Sequence, residues 1–320
     1  MRVSEFVRGS GRDPTMRFNR TISLTLLFAV MTLTAVVHSV EIGPPFLPLG
    51  NYSSDGQPSY CPDGRLIFVR NERIGGGPHW DFADWVCIFA YKTLSQLSVS
   101  AGYEPGLSVA GIIVGVYDTE AGSTINVLDP QGRLQRLTSG EYTDRSPTWS
   151  PDGSQIAFSS NRSGSFDLWI IAGTGGTPTQ LTEGEADDLQ PAWSRDGSAI
   201  AFVSDRGGSR DIWAISATGG AAQQVTQLPG EEGNPTWSPN GDLIAFSAEV
   251  DGNVDVWVVR VATGEVSRVT SSPFRDAEPT WSPDGSAIVF SSDGQLRMAT
   301  DLRTVGVNSA SWTAVKALYR

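Results

Sequence analysis

Lysine, histidine and cysteine are nearly missing from this chain of 320 residues. Lysine occurs only at positions 92 and 316, histidine at 38 and 79, and cysteine at 61 and 87. Two cysteines exclude a disulfide-dense mini-scaffold. The strand order read below sets Cys61 and Cys87 on non-neighbouring strands, about 9–10 Å apart at ordinary strand spacing. That is beyond disulfide reach, so two free buried thiols are expected. Two histidines exclude a histidine-rich metal centre. His38 falls in the N-terminal segment, so a Ser-His-Asp relay would have to use His79. "GGPHWDF" around His79 is a glycine-rich loop and not a nucleophile elbow. Helical periodicity is absent, and only one long uncharged apolar run occurs.

That run is "ISLTLLFAVMTLTAVV", residues 22–37, preceded by arginine-bearing polar residues. A basic segment, an apolar stretch and small residues beyond it have the form of a signal peptide. The run is short for a comfortable spanning helix, so residues 1–39 are read as a signal peptide or, alternatively, an N-terminal membrane anchor. Met16 would give a start of more ordinary signal length. Export to the periplasm or the extracellular space is the expectation. Residues 1–39 hold five Arg against Glu5 and Asp13, a surplus of three, which leaves the rest at −15 of the total −12. An acidic body argues against nucleic acid and against anionic lipid over a broad surface. Membrane contact is therefore expected only through the N-terminal segment, and the body is read as monomeric.

What the chain has in quantity is turn residues, with 35 Gly and 19 Pro. They punctuate a repeat. "PTWSPDGSAIVF" at 279–290 returns as "PTWSPDGSQIAF" from Pro147, "PAWSRDGSAIAF" from Pro191 and "PTWSPNGDLIAF" from Pro235. Trp149, Trp193, Trp237 and Trp281 are each 44 residues apart. The triplets opening at Asp167, Asp211 and Asp255 keep that step, as do Thr138, Thr182, Thr226 and Thr270. Three markers in phase define a repeat unit. Within it, "SPDG" is a turn: Pro presets one dihedral, Asp caps, and Gly takes the left-handed position. Around it lie four short β-rich runs: "SPTWS", "SQIAFSS", "FDLWIIA" and "TPTQLT". Four antiparallel strands per 44 residues fit a propeller blade, because one sheet exposes two faces that only neighbouring blades can bury. The Trp and "IAF" positions should supply that inter-blade core. The fold is read as all-β, a β-propeller of six four-stranded blades, with five or seven as alternatives. It would span 40–320, with regular blades at about 139–293 and degenerate ones at about 57–138, and close with a strand from about 44–50 or with the C-terminal tail.

The stretch "PTWSPDGSQIAFSSNRSGSFDLWIIAGTGGTPTQLT" (147–182) and its successors resemble the TolB-type β-propeller, and also the propellers of prolyl oligopeptidase relatives. The resemblance is specific for the blade and weak for function. It implies a binding module of the cell envelope. TolB carries an α/β domain before its propeller, and the few residues between the apolar run and the first blade leave no room for one.

Five residues before each repeat Trp stand Asp144, Asp188, Glu232 and Asp276. The first strand of a propeller blade is the innermost, so these four could form an acidic ring at the channel mouth. Such a ring would bind a cationic group or, as the one cofactor contemplated, a divalent cation through oxygen ligands. The structural alternative is that each accepts backbone N–H bonds or pairs with an arginine of a neighbouring blade. Arg162, Arg206 and Arg210 lie in loops expected on the same rim, where they would suit an envelope protein or peptide partner. The aspartates 167, 211 and 255 are read as strand-edge hydrogen-bonding groups. Asn51 and Asn161 open glycosylation sequons that matter only in a glycosylating host. Two readings follow: a non-catalytic binding propeller of the cell envelope, or an exported glycoside- or peptide-acting enzyme working with a carboxylate pair. A third is a fragment of a larger system.

Overall fold

The computed structural model describes residues 105–300, Leu302 and Pro58 in full, and before them the backbone at 40–42, 54–60, 66–74, 81–90 and 93–97. The expectations for the apolar run, Cys61, His79 and Asn51 and for the side chain of Cys87 lie outside the described residues. Among those residues no helix is long and apolar enough to cross a membrane.

The described chain is a β-propeller of four-stranded antiparallel blades. Five blades are each laid down by one continuous stretch. The first holds β2 (Ser54–Tyr60), β3 (Leu66–Ile74), β4 (Asp81–Ala90) and β5 (Thr93–Leu97). The second holds β6 (Gly106–Leu107), β7 (Ile113–Asp118), β8 (Ser123–Leu128) and β9 (Leu134–Arg136). The regular repeats follow as β10 (Asp144–Trp149), β11 (Gln155–Ser160), β12 (Asp167–Ala172) and β13 (Thr179–Gln180), then β14 (Asp188–Trp193), β15 (Ala199–Ser204), β16 (Asp211–Ser216) and β17 (Gln223–Gln224). The last of the five holds β18 (Glu232–Trp237), β19 (Leu243–Val250), β20 (Asn253–Arg260) and β21 (Glu265–Arg268). A sixth four-stranded sheet is composite: β22 (Asp276–Trp281), β23 (Ala287–Ser292) and β24 (Gln295–Thr300) accept β1 (Val40–Ile42) as their outer strand. Val40 pairs with Met298 and Ile42 with Leu296. The two ends of the propeller are thus stitched into one sheet. The closing strand lies at 40–42, ahead of the 44–50 expected, and pairs antiparallel with the edge of β24.

Among the described residues, facing sheets of neighbouring blades pack on one another from the second blade onward. Phe158, Phe202, Phe246 and Phe290 keep the 44-residue step and are all buried to within 1%. Alternation along the second strand sends Phe158 and Ile156 one way, into Val114, Val116 and Ile125 of the preceding blade. It sends Ala157 the other way, against Ile200 and Phe202 of the following blade. The same interleaving recurs between the next two pairs. Period-two strands with both faces apolar thus become intelligible, since neither face meets water. Full burial of a Phe contributes about 1.5–3 kcal/mol, so the ring holds together chiefly through these repeated contacts.

Candidate functional site on the propeller axis

The first strands of neighbouring blades stand side by side: β6 next to β10, β10 next to β14, β14 next to β18, β18 next to β22, and β2 between β22 and β6. They surround the axis. Each regular one enters at its acidic residue and leaves at its Trp, so the axis has an acid end and a Trp end.

At the acid end the four carboxylates are buried, with at most 3% exposure each. Arg162 Nη2 donates to Asp144 Oδ1 at 2.8 Å, and Arg206 Nη2 donates to Asp188 Oδ1 and Oδ2 at 2.7 and 2.5 Å. Both arginines belong to the same blade as their carboxylate, not to the neighbouring one. They follow the strand that pairs with the acid, as in the Asp144–Ser160 register. Their guanidinium planes also lie over aromatic rings, Phe158 and Trp169 for Arg162, and Phe202 and Trp213 for Arg206. Among the described residues Glu232 has no such arginine. It accepts from Leu228 N–H at 2.8 Å, Ile212 N–H at 3.2 Å and the Thr226 hydroxyl. Burial outweighs these bonds and pushes its carboxyl above the usual range. Asp276 accepts from Ser272 Oγ at 2.9 Å. Arg210 is exposed, 3.9 Å from Glu231. Two of the three candidate arginines are therefore paired with two of the four candidate acids inside single blades, while Glu232 and Asp276 are held by hydroxyl and backbone donors.

The aspartates of the triplets make a second buried layer behind them. Asp167 accepts from Gln180 Nε2 at 3.1 Å and from the Ser163 hydroxyl, and Asp211 accepts from Gln224 Nε2 at 2.9 Å. Asp255 is held by Arg268 and by Thr270 Oγ1 at 3.1 Å. Burial raises the carboxyls of Asp167 and Asp211 above the usual range. The described residues contain no cluster of three or more Asp, Glu, His or Cys placed to hold a metal ion.

Midway along the axis each regular inner strand has a bulge, seen as a register shift between residues 145 and 148 and their repeats. Ser146, Gln190, Asn234 and Glu278 sit there with φ of 49–55°. Left-handed backbone in a residue other than glycine is strained by about 1–2 kcal/mol, and here each is followed by Pro. The bulge turns an N–H out of the strand ladder toward the neighbouring blade. Asn234 N–H meets Gln190 Oε1 at 2.7 Å, and Glu278 N–H meets Ser247 Oγ at 3.2 Å. The strain is thus spent on joining one blade to the next.

At the Trp end the inner strands open around a cavity of about 180 Å³. Trp149, Trp193, Trp237 and Trp281 wall it, with Thr148 and Thr236 between them. Leu107 and Val109 add to the wall from the second blade. Trp237 Nε1 donates to the Ala192 carbonyl at 3.1 Å, and Trp281 Nε1 to the Thr236 carbonyl at 3.2 Å. These indoles link blades and line the axis at once. The turn residues Pro151, Arg195, Pro239 and Pro283 form the rim. The repeat that was read as inter-blade core therefore also builds this mouth. The readable signal was its position at the inner end of every first strand. Among the described residues lining the cavity none is a carboxylate, imidazole or thiol.

Comparison with known proteins agrees with this geometry. Residues 117–228 match the model of the TolB beta propeller domain, and residues 208–318 that of the Tricorn protease N-terminal beta propeller domain. A protein assigned to TolB from Agrobacterium tumefaciens is 26% identical, over 62% of this chain and 73% of its own, with a TM-score of 0.55. TolB from Acinetobacter baumannii is 22% identical over 74% of this chain, which spans 64% of that protein, with a TM-score of 0.59. An oligogalacturonate lyase from Vibrio parahaemolyticus shares the fold at 13% identity, over 81% of this chain and 93% of its own, with a TM-score of 0.56. The chain carries a TolB-like propeller whose solved neighbours include TolB proteins and an oligogalacturonate lyase.

Proposed function

We propose that this chain is a non-catalytic propeller of the cell envelope that binds an extended protein or peptide segment at the Trp end of its axis. The carrying observation is the axial cavity walled by four indoles and bordered by turn prolines. Aromatic walls next to proline and threonine suit an extended segment, which offers backbone groups and alternating side chains. The cavity's size fits a side chain or two and not a folded domain, since a water occupies about 30 Å³ of liquid. The basic segment and apolar run at 22–37 support export. The composite sheet joins the N-terminal strand Val40–Ile42 to the last repeat. An enzyme working by a carboxylate pair is less well supported. Asp144, Asp188 and Glu232 are buried and bonded within the fold, and the described lining of the cavity brings none of them to a substrate.

Filling the cavity tests the proposal. Ala192 lines it and is half-buried, so Ala192→Phe should abolish capture of partners from an envelope fraction while the melting temperature stays within a few degrees. Recovery of the same partners by wild type and variant would remove the axial mouth from the account.

A further inference from the structure

One blade departs from the repeat at the mouth itself. The turns read Ser-Pro-Asp-Gly at 150–153 and 282–285 and Ser-Pro-Asn-Gly at 238–241, but Ser194-Arg195-Asp196-Gly197 in the second regular blade. All four have the same backbone. Gly153, Gly197, Gly241 and Gly285 take φ of 68–76°, and in each the Gly N–H bonds the Ser carbonyl three residues back at 2.8–2.9 Å. Pro is favoured at the second position of such a turn because it presets φ and restricts the unfolded chain. Arg195 gives up that advantage with no structural return. Its guanidinium makes no hydrogen bond or ion pair among the described residues, and its side chain is exposed.

Its surroundings explain what it is placed to do. The turns overlap around the mouth: a Cβ built on Gly153 would stand 3.3 Å from Val109 Cγ2, and one on Gly197 would stand 3.8 Å from Pro151 Cδ. On Gly241, where Arg195 takes the place of the overlapping Pro, a Cβ would meet nothing within 4 Å. Arg195 lines the cavity in the place that the other regular turns give to Pro. Among the described residues lining the cavity it is the one that carries a formal charge. The acids nearby, Asp152, Asp196 and Asp284, stay out of the cavity lining. Each is bonded to the serines of its own turn, as in Ser194 Oγ to Asp196 Oδ1 at 2.7 Å.

We propose that Arg195 is an anion-recognising subsite of the axial mouth that selects a carboxylate carried by the bound extended peptide, from a Glu or Asp side chain or from the chain end. This rests on the binding reading above and adds to it the chemistry of the segment. The planar guanidinium fork matches a carboxylate with two parallel N–H···O bonds, while the indole walls take the apolar part of the same residue.

The test uses the whole protein and a set of hexapeptides, each made in matched pairs: Glu against Gln at one position, and free carboxylate against amide at the C-terminus. Dissociation constants are read by fluorescence anisotropy for wild type, Arg195→Glu and Arg195→Pro. The last restores the repeat's own turn and should fold at least as well as wild type. The expected result is at least about a tenfold preference of wild type for one acidic arm over its neutral partner, absent in Arg195→Pro and reversed in Arg195→Glu. Which arm carries the preference tells the side-chain source from the chain end. A preference that persists in Arg195→Pro, or equal binding of acidic and neutral partners, overturns the subsite and leaves the binding reading standing. Tighter binding of glucuronate than of any peptide overturns the peptide assignment. Binding of no hexapeptide in any form removes the binding reading as well.

Discussion

Asp188 and Glu232 occupy equivalent places in adjacent blades and solve the same problem differently. A buried carboxylate needs either a counter-charge or a proton. Asp188 has the counter-charge, since Arg206 is its ion-pair partner at 2.5 Å and stacks on Phe202 and Trp213. Arg206→Ala leaves that carboxylate buried and unpaired, and should lower the unfolding free energy by about 3 kcal/mol, read from denaturant melts. Glu232 has three donors and no arginine, and burial raises its carboxyl above the usual 4.5. Its folded form therefore binds a proton more tightly than the unfolded chain does. Its contribution to stability is fully present below about 4.5 and is lost as pH rises through the folded value. Glu232→Gln should flatten that slope, so that the variant gains on wild type as pH rises from 4.5 to 7 and does not gain at pH 4. Melts at a series of pH values check this.

The turns of the regular blades behave as elements with a titratable clasp. In the first of them Asp152 accepts from the Ser150 and Ser154 hydroxyls and from Ser154 N–H, which lowers its carboxyl to about 2. Asp196 is held the same way by Ser194 and Ser198, and is also lowered to about 2. For a lowered carboxyl the stabilisation is present above the unfolded value of 3.8 and disappears as pH falls toward 2. Asp196→Asn, which copies the Asn240 turn of the next blade, should be less stable than wild type at pH 6, and the difference should close by pH 2. A gap that survives at pH 2 would show that the carboxylate's charge is irrelevant to the turn. This element was legible in the sequence, because Pro, Asp and Gly in that order have one conformation in common. The bulge was not. Ser146, Gln190, Asn234 and Glu278 share no side-chain chemistry that announces a left-handed backbone, and only the Pro after each hints at an irregular strand. The arginine partners were seen as rim groups because their loops were placed on the acid end. That Arg162 and Arg206 turn inward onto Asp144 and Asp188 depends on register across two strands, which local pattern does not carry.

On the scale of the whole molecule, the 44-residue step made the ring readable, and the ring assigns each repeated residue a height along the axis. Heights of acid, bulge and Trp follow from one strand direction, which is why a motif read as packing also shapes a mouth. The departures from the step are the informative places: Glu232 for Asp, Arg195 for Pro, and the borrowed strand Val40–Ile42 that closes the last sheet. The central claim is that a partner segment enters at the Trp end and not at the acid end. Val109 at the first and Tyr142 beside the second are both exposed, at 49% and 40%. The direct measurement places a photo-crosslinking amino acid at position 109 in one variant and at 142 in another, and compares their adducts with native partners in the envelope. Adducts should form from 109 and be abolished by Ala192→Phe, with none from 142. Adducts from 142 alone, or from neither position, would contradict it.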